Sequence, residues 1–195
     1  MKVGSVLLCG VTLLALLFGG VLHSQEDAEI LDIRHQFSLW QQELKAEVAP
    51  SQQLRRIYYG DSLEYDKWVL EGDSTEGGFT AEEVSIYRDD SLGTLLKMAE
   101  GSPSGDWYIA SEHYYWPSQQ LYFVFWKLST FQAEKPVTVE RRIYFDSDGR
   151  VLRQLESIHE MGSNDRIENI SYSNQYTRYW LAIDALPFRY LLETE

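Results

Sequence analysis

The chain has 195 residues, of which 17 are basic and 30 are acidic, and its formal net charge at pH 7 is −13. A chain this acidic repels nucleic acid and anionic lipid headgroups, and it has no basic stripe with interleaved aromatic residues, so nucleic acid is not an expected partner. Cys9 is the one cysteine, so no internal disulfide can form, and stability has to come from packing.

The first predicted element is an export or anchoring segment at residues 1–24. Lys2 precedes an uncharged apolar run of twenty residues, Val3–Leu22, and polarity returns at His23. At a rise of about 1.5 Å per residue, a helix of this length is sufficient to cross a hydrocarbon core of about 30 Å. The run therefore predicts either a signal peptide or a transmembrane helix.

The cleavage sites after this run are poor. A signal peptidase needs a small residue three positions before the cut, and here Phe18 or Leu22 occupies that position. A cleaved signal peptide and an uncleaved N-terminal membrane anchor therefore both stay open. Because Lys2 lies before the run, the positive-inside rule predicts that the rest of the chain is translocated. The expected localisation is extracytoplasmic, either periplasmic or secreted, in a bacterial envelope.

Residues 25–195 are predicted to form a single extracytoplasmic domain. Without residues 1–24 the chain retains 171 residues, enough for one substantial core, and its net charge is −14. Neither an internal repeat nor a shift in composition divides this part of the sequence.

A single helix is predicted directly after the export segment. Its apolar residues recur at spacings of 3, 4, 3, 4 and 4 and form one stripe: Ile30, Ile33, Phe37, Trp40, Leu44 and Val48. Acidic residues precede the stripe, which suits the positive end of a helix dipole, and Pro50 is expected to end the helix. We expect the stripe to pack against a sheet.

From Leu54 onward the pattern changes to short strands separated by turn residues. The predicted strands are Leu54–Tyr59, Tyr65–Leu70, Val84–Tyr87, Leu95–Met98, Trp107–Trp116, Leu121–Leu128, Val137–Phe145, Val151–Ile158 and a segment near Ile167–Tyr172. Residues 176–192 are compatible with a strand or a short helix. No long helix separates the strands, which favours antiparallel hairpins over parallel βαβ units. The sequence therefore predicts an α+β fold, with the N-terminal helix packed on the concave face of one antiparallel, strongly curved meander sheet of about seven to nine strands.

One predicted hairpin concentrates aromatic side chains. In Leu121–Leu128 both alternating faces are apolar, and such a strand has to be covered on both sides. The helix and loops could supply that cover, or the sheet could keep an open apolar groove for a lipid-like chain or a partner segment. Tyr and Trp suit a groove because they combine apolar area with a polar tip. The predicted ligand-binding residues are Trp107, Tyr108, Tyr114, Tyr115, Trp116, Tyr122 and Trp126.

Catalytic and metal-binding motifs are scarce. His113 and His159, each beside a glutamate, are the best candidates for a base with an orienting carboxylate. The sequence contains no G-x-S-x-G elbow and no H-E-x-x-H motif. The acidic turn at 146–149 lacks the carboxylates that a calcium loop needs at its first and last positions. No catalytic residue, metal ligand or cofactor is therefore predicted.

These features predict a non-enzymatic envelope protein. It would be a binding or accessory module for an envelope protein or a hydrophobic, lipid-like ligand, and residues 3–22 would contact the membrane if they are retained. Two alternatives stay open. An extracytoplasmic hydrolase would use His113 or His159 with nearby carboxylates, and it requires these groups to converge in one pocket. A purely structural accessory domain would lie beside a membrane partner.

Overall fold

The computed structural model describes residues 8–59, 65–74, 78–173 and 176–192, and it describes side chains from Asp27 onward, except at Tyr65. Much of the predicted export segment lies outside this part of the chain, namely residues 1–7 and the side chains of residues 8–24. Among the residues that are described, no helix is both long enough and apolar enough to span a membrane.

The described residues form one α-helix and nine strands. The helix α1 spans Leu8–Lys45. The strands are β1 (Gln52–Tyr59), β2 (Tyr65–Leu70), β3 (Gly78–Asp89), β4 (Gly93–Gly101), β5 (Trp107–Tyr115), β6 (Leu121–Thr130), β7 (Val137–Phe145), β8 (Val151–Glu160) and β9 (Arg166–Ile167). Two short 3₁₀ helices follow, at Ile183–Ala185 and Arg189–Leu191. The predicted class, an N-terminal helix with a single antiparallel sheet, is confirmed.

The sheet has the strand order β2-β1-β3-β4-β5-β6-β7-β8-β9. It is a meander from β3 to β9 and differs at its start, because β3 pairs with β1 and leaves β2 at the edge. β2 ends beside Leu54, whereas β3 begins beside Tyr59, at the other end of β1.

The apolar stripe of α1 packs against the sheet. Its buried or partly buried members are Ile30, Ile33, Phe37, Trp40 and Leu44. Val48 lies beyond the helix end and is exposed. The helix ends at Lys45, well before Pro50, because the chain turns at Glu47, whose φ of 55° is in the left-handed region.

The helix crosses the strands. Contacts along it move inward from the β8 side of the sheet: Asp27 with Arg153 of β8, Arg34 with Tyr144 of β7, and Gln41 with Tyr114 of β5. Residues 8–26 continue α1 on the β8 side and add about 28 Å to its length at a rise of about 1.5 Å per residue. Residues 8–24 of the predicted export segment and the domain helix are therefore parts of one continuous helix.

The opposite face of the sheet is covered by residues 176–192, which we call the C-terminal segment. Its Leu186 and Phe188 are buried, and the Phe188 ring lies 4.7 Å from the Trp68 ring of β2. Within the segment the described backbone forms two 3₁₀ helices and no strand, which decides between the two predicted alternatives. Of the strand predicted near Ile167–Tyr172, only Arg166–Ile167 is formed.

Strand β6 is apolar on both faces, and each face has a cover. Phe123 belongs to the cluster under α1, whereas Val124 and Trp126 belong to the core under the C-terminal segment. The helix and the C-terminal segment together provide the two covers that such a strand requires.

Candidate functional site

A groove with a volume of about 490 Å³ opens between α1 and strands β5 to β8, and we call it the α1 groove. It is lined by Ile33, Arg34, Phe37, Gln41, Glu112, Phe123, Phe125, Arg142, Tyr144 and Leu155. One cross-strand row, from Glu112 on β5 to Leu155 on β8, supplies four of these residues, because partners in neighbouring strands point to the same face. The volume is in the range of small-molecule sites.

Aromatic rings form the floor of the α1 groove. The Phe37 and Phe123 rings both line the groove and meet edge to face at a centroid distance of 5.3 Å. The Phe37 ring also contacts the Tyr114 ring at 5.4 Å, and Tyr114 is buried beneath it without lining the groove. The Phe123 ring in turn lies 4.9 Å from the Tyr144 ring. Because these rings are held by one another and by the sheet, the floor is preformed and does not have to order when a ligand binds.

Two arginines flank this floor. The Arg34 guanidinium lies 5.8 Å from the centroid of the Tyr144 ring, and the Arg142 guanidinium lies 5.8 Å from that of the Phe125 ring. Arg142 also lies 3.6 Å from the Glu140 carboxylate, whereas Arg34 makes no ion pair with any residue that the structure describes. Half of the Arg142 side chain is exposed, so both cations are available at the groove surface.

The β5 end of the α1 groove carries a carboxylate that is already paired. The Tyr114 hydroxyl donates to Glu112 Oε2 at 2.5 Å, and Lys97 Nζ lies 3.6 Å from Glu112 Oε1. Gln41 Nε2 donates to the Tyr114 hydroxyl at 3.1 Å. Burial, and then the Glu112 charge, raise the pKa of the Tyr114 phenol, so this group stays protonated and keeps donating.

A second cavity, of about 30 Å³, lies beneath the C-terminal segment, and we call it the polar pocket. It is lined by Glu82, Met98, Glu100, Ile109, Ser111, His113, Trp126, Tyr176 and Arg178. A cavity of this size has room for a water molecule and not for an organic substrate.

An ion pair between the partly exposed Arg178 and the buried Glu82 closes the polar pocket. Arg178 Nη2 donates to Glu82 Oε1, and it also lies 3.6 Å from the Glu100 carboxylate. Arg56 of β1 lies 3.6 Å from the other Glu82 oxygen. Burial raises the pKa of the Glu82 carboxyl above its ordinary value, and Arg178 opposes that shift. The C-terminal segment thus contributes the cation that compensates a carboxylate buried in the sheet.

His113 lies on the floor of the polar pocket. Its Nε2 is 3.1 Å from Ser111 Oγ, and its Nδ1 has no hydrogen-bond partner among the described residues. Burial, and then the Arg178 charge, lower the pKa of His113 to about 3. A general base works best with a pKa near the working pH, so this imidazole is poorly suited to remove the serine proton.

A second polar anchor holds the chain at the start of the C-terminal segment and just before it. The Arg141 guanidinium lies 4.7 Å from the centroid of the Trp126 ring and donates to Glu156 Oε2 at 2.6 Å. It also donates to the Tyr172 hydroxyl at 2.8 Å and to Thr177 Oγ1 at 3.0 Å. The cover over this face of the sheet is therefore attached through buried or half-buried charges as well as apolar packing.

The seven predicted ligand-binding residues do not come together in one site. Their burial ranges from complete to slight: Tyr114, Tyr115, Tyr122 and Trp126 are buried, Trp107 and Trp116 are partly buried, and Tyr108 is exposed. None of the seven lines the α1 groove, and Trp126 alone lines the polar pocket. The Tyr115 hydroxyl donates to the Trp180 carbonyl at 3.1 Å, which shows that this polar tip serves the fold.

His113 and His159 lie on opposite faces of the sheet. Through cross-strand pairs, His113 shares a face with Ile143 of β7, and His159 shares one with Thr138 of β7. Thr138 and Ile143 are separated by an odd number of positions, so they point to opposite faces. The two histidines therefore do not converge in one pocket. In the described part of the chain, no group of three or more His, Cys, Asp or Glu residues is placed to hold a metal ion.

The lining of the α1 groove is not predicted as a site from the sequence. Phe37 is predicted to pack on the sheet, and Phe123 and Phe125 belong to the aromatic hairpin without being selected as ligand-binding residues. A usable signal is Arg142, because it stands two positions before Tyr144 and therefore shares a strand face with an aromatic residue. A cation on an aromatic face indicates the edge of an apolar surface.

Comparisons with known proteins give no relative from which a function could be transferred. No protein-family model, no curated protein and no solved structure matches the chain.

Proposed function

We propose that this chain is a non-enzymatic binding module of the bacterial envelope and that the α1 groove holds a hydrophobic ligand. The observation that supports the proposal most strongly is the volume of about 490 Å³ left open beside α1 over a floor of aromatic rings. Ligand sites are typically concave and mostly apolar, with a few polar groups that fix orientation, and the α1 groove has this composition.

The proposed location is extracytoplasmic, with export or anchoring by residues 1–24. Support comes from the uncharged run Val3–Leu22 behind Lys2. The continuity of α1 from Leu8 to Lys45 adds a physical consequence, since an uncleaved segment would hold the domain at a fixed distance from the bilayer. An uncleaved module would bind its ligand close to the membrane surface. A cleaved one would be released to the periplasm or the exterior.

A matched pair of β8 variants tests the binding role of the α1 groove. Leu155 lines the groove and is 40% exposed, whereas Val151 is 48% exposed on the same strand and does not line it. Leu155→Glu places a carboxylate against the apolar floor, and Val151→Glu adds the same charge elsewhere. The readout is binding of 1-dodecanol to the purified full-length chain by titration calorimetry.

We expect the wild-type chain and Val151→Glu to bind 1-dodecanol alike and Leu155→Glu to bind it at least about tenfold more weakly, since desolvating a carboxylate beside an alkyl chain is costly. Both variants should unfold at similar urea concentrations, because both sites are exposed. Absence of binding to the wild-type chain, or equal binding by Leu155→Glu, would count against the proposal.

A hydrolase is the second candidate function. The observation that favours it is the distance of 3.1 Å between Ser111 Oγ and His113 Nε2 in the polar pocket. The depressed pKa of His113, to about 3, and a cavity of about 30 Å³ weigh against it. Reaction of the native chain with a fluorophosphonate ester, detected as a covalent adduct on Ser111 by peptide mass spectrometry, would favour this second candidate over the first.

A further inference from the structure

We propose that the ligand of the α1 groove is a single-chain anionic amphiphile, a fatty-acid carboxylate, with its anion at Arg34 and Arg142 and its alkyl chain over Phe123 and Phe125. This inference rests on the proposed binding role of the groove and specifies the chemical class of the ligand. It assigns Arg34 and Arg142 as residues that determine specificity.

The first argument is the position of the two arginines. Each guanidinium lies 5.8 Å from the centroid of a groove ring, so each cation borders the apolar floor. A guanidinium has five N–H donors. Arg142 Nη2 lies 3.6 Å from Glu140 Oε2, and the other donors of Arg142 remain for a second anion. Arg34 forms no ion pair within the described residues, so its charge is not compensated there. Two such donors suit a carboxylate, which accepts bidentate bonds.

The second argument is the distribution of charge. The whole chain has a net charge of −13, so an apolar groove bordered by two arginines is a local exception. The groove therefore has a cationic end towards β7 and β8. At its β5 end the Glu112 carboxylate is already paired with the Tyr114 hydroxyl and with Lys97. An amphiphile with one anionic end matches this polarity better than a neutral or a cationic one does.

The third argument is the shape of the groove. It crosses the spacings from β5 to β8, a distance of about 14 Å at about 4.8 Å per strand. An α-helix with its side chains is about 10–12 Å thick, whereas a volume of about 490 Å³ is that of a small-molecule site. An extended alkyl chain fits these dimensions better than a partner helix does.

The orientation of α1 agrees with the placement of the anion. Asp27 of α1 pairs with Arg153 of β8 at 3.0 Å, and the helix continues past that strand towards residue 8. The cationic end of the groove is on this same side. A carboxylate bound there would face the side from which the export segment extends, and the alkyl chain would point away from it towards β5.

Comparing two ligands with the same chain tests the inference. Dodecanoate and 1-dodecanol are titrated into the purified full-length chain at pH 8, below their micelle or solubility limits. The variants are the double substitution Arg34→Gln/Arg142→Gln and a matched control, Arg150→Gln, at an exposed arginine of the β7–β8 turn outside the groove. Far-UV circular dichroism checks that each variant is folded.

We expect the wild-type chain and Arg150→Gln to bind dodecanoate at least about tenfold more tightly than 1-dodecanol, the combined effect of two charge-assisted contacts. In Arg34→Gln/Arg142→Gln this ratio should fall to about one, because the affinity for dodecanoate falls far more than the affinity for 1-dodecanol. Raising the salt concentration should lower the wild-type ratio, because partly exposed charges are screened.

The outcomes separate this inference from the proposed function. Equal binding of the two ligands by the wild-type chain would overturn the anion specificity and leave the hydrophobic site intact. If neither ligand binds, the proposed function fails as well. An acidic amphipathic peptide that binds while dodecanoate does not would overturn the fatty-acid assignment in favour of a protein partner.

Discussion

Arg178 and Glu82 form an ion pair that joins the C-terminal segment to β3, and the Glu82 side chain in this pair is only 1% exposed. The Arg178 guanidinium also lies 5.2 Å from the centroid of the Trp180 ring, which fixes its approach. The sheet thus buries a carboxylate whose principal counter-charge comes from about a hundred residues further along the chain. Docking of the C-terminal segment and compensation of Glu82 therefore depend on each other.

Replacing Arg178 should unfold the chain more easily. In Arg178→Met the Glu82 carboxylate stays buried with Arg56 as the nearby cation that remains. Breaking one side of a fully buried pair costs about 3–5 kcal/mol, and because Arg178 is 41% exposed, solvent screening lowers the expected cost to about 1–2 kcal/mol. The free energy of unfolding, measured by urea titration at pH 7, should fall by about that amount.

Two further variants make the Arg178 prediction specific. Arg150→Met changes a highly exposed arginine and should stay within about 0.5 kcal/mol of the wild type. The double substitution Glu82→Met/Arg178→Met removes both charges and should recover most of the loss. A double variant less stable than Arg178→Met would show that the cost does not arise from an uncompensated carboxylate.

Acidification should destabilise the fold through His113. Its pKa is about 3 in the folded chain and about 6.5 when unfolded, so the unfolded chain binds more protons between these values. Stability is then fully present above pH 6.5 and is lost on going down towards pH 3, by about 1.4 kcal/mol per pH unit. We expect His113→Leu to lose less stability than the wild type between pH 6.5 and about 4.5.

The pH experiment is a series of urea titrations, with His159→Leu as the control at a less buried histidine on the other face. Glu82 contributes with the opposite sign, because its raised pKa gives stability that is present at low pH and lost as pH rises through the folded pKa. That contribution is common to both variants. Parallel curves for the wild type and His113→Leu would refute the role assigned to His113.

Alanine substitutions at two glycines with nearly the same φ distinguish the cost of a steric clash from the cost of backbone strain. Gly93 has a φ of +93°, and a Cβ there would be 2.1 Å from the Tyr115 carbonyl oxygen. Gly72 has a φ of +96°, and within the described part of the chain no atom lies within 4 Å of the corresponding Cβ position. We expect Gly72→Ala to cost about 1 kcal/mol from strain alone, and Gly93→Ala to cost at least about 3 kcal/mol or prevent folding. Equal thermal midpoints for the two variants would contradict the close approach at Gly93.

Truncation of Trp40 should show that α1 is part of the core. Trp40 is buried between the helix and the sheet, so Trp40→Ala is expected to cost about 3–5 kcal/mol. Leu31, on the exposed side of the same helix, provides the control, and Leu31→Ala should change stability by less than about 0.5 kcal/mol. Urea titration followed by far-UV circular dichroism measures the stability of both variants. A small effect of Trp40→Ala would mean that the sheet is stable without packing of its helix.

The regular elements follow from local patterns, and that is why the sequence predicts them. Spacings of three and four residues place Ile30 and Trp40 on one helix face, and Val137–Phe145 is bounded by turn residues at both ends. The position of β1 between β2 and β3 depends on the pairing of β1 with β3, which no local sequence pattern encodes. The C-terminal segment is likewise positioned by tertiary contacts, such as the pair of Arg178 with Glu82.

The candidate site was harder to predict because aromatic residues serve both the core and the groove. Tyr114 and Phe123 are both aromatic and are cross-strand partners on β5 and β6. Tyr114 is nevertheless buried under Gln41 and Phe37, whereas Phe123 also lines the α1 groove. The difference arises from where α1 crosses the sheet, which the sequence does not specify. Hydrophobicity alone therefore identifies the aromatic hairpin and not the part of it that stays open.

Because α1 is one unbroken helix, the orientation of the domain relative to the start of the helix depends on the number of residues between them. The helix runs from Leu8 through Leu22 to Lys45 with no hinge in between, so there is no point at which rotation could be absorbed. Inserting one residue before Asp27 turns everything beyond it by about 100° about the helix axis and displaces it by about 1.5 Å. An insertion of one residue would leave the lining of the groove unchanged but turn the groove to another direction about the helix axis. An insertion of seven residues, close to two full turns, would return the groove to its original direction.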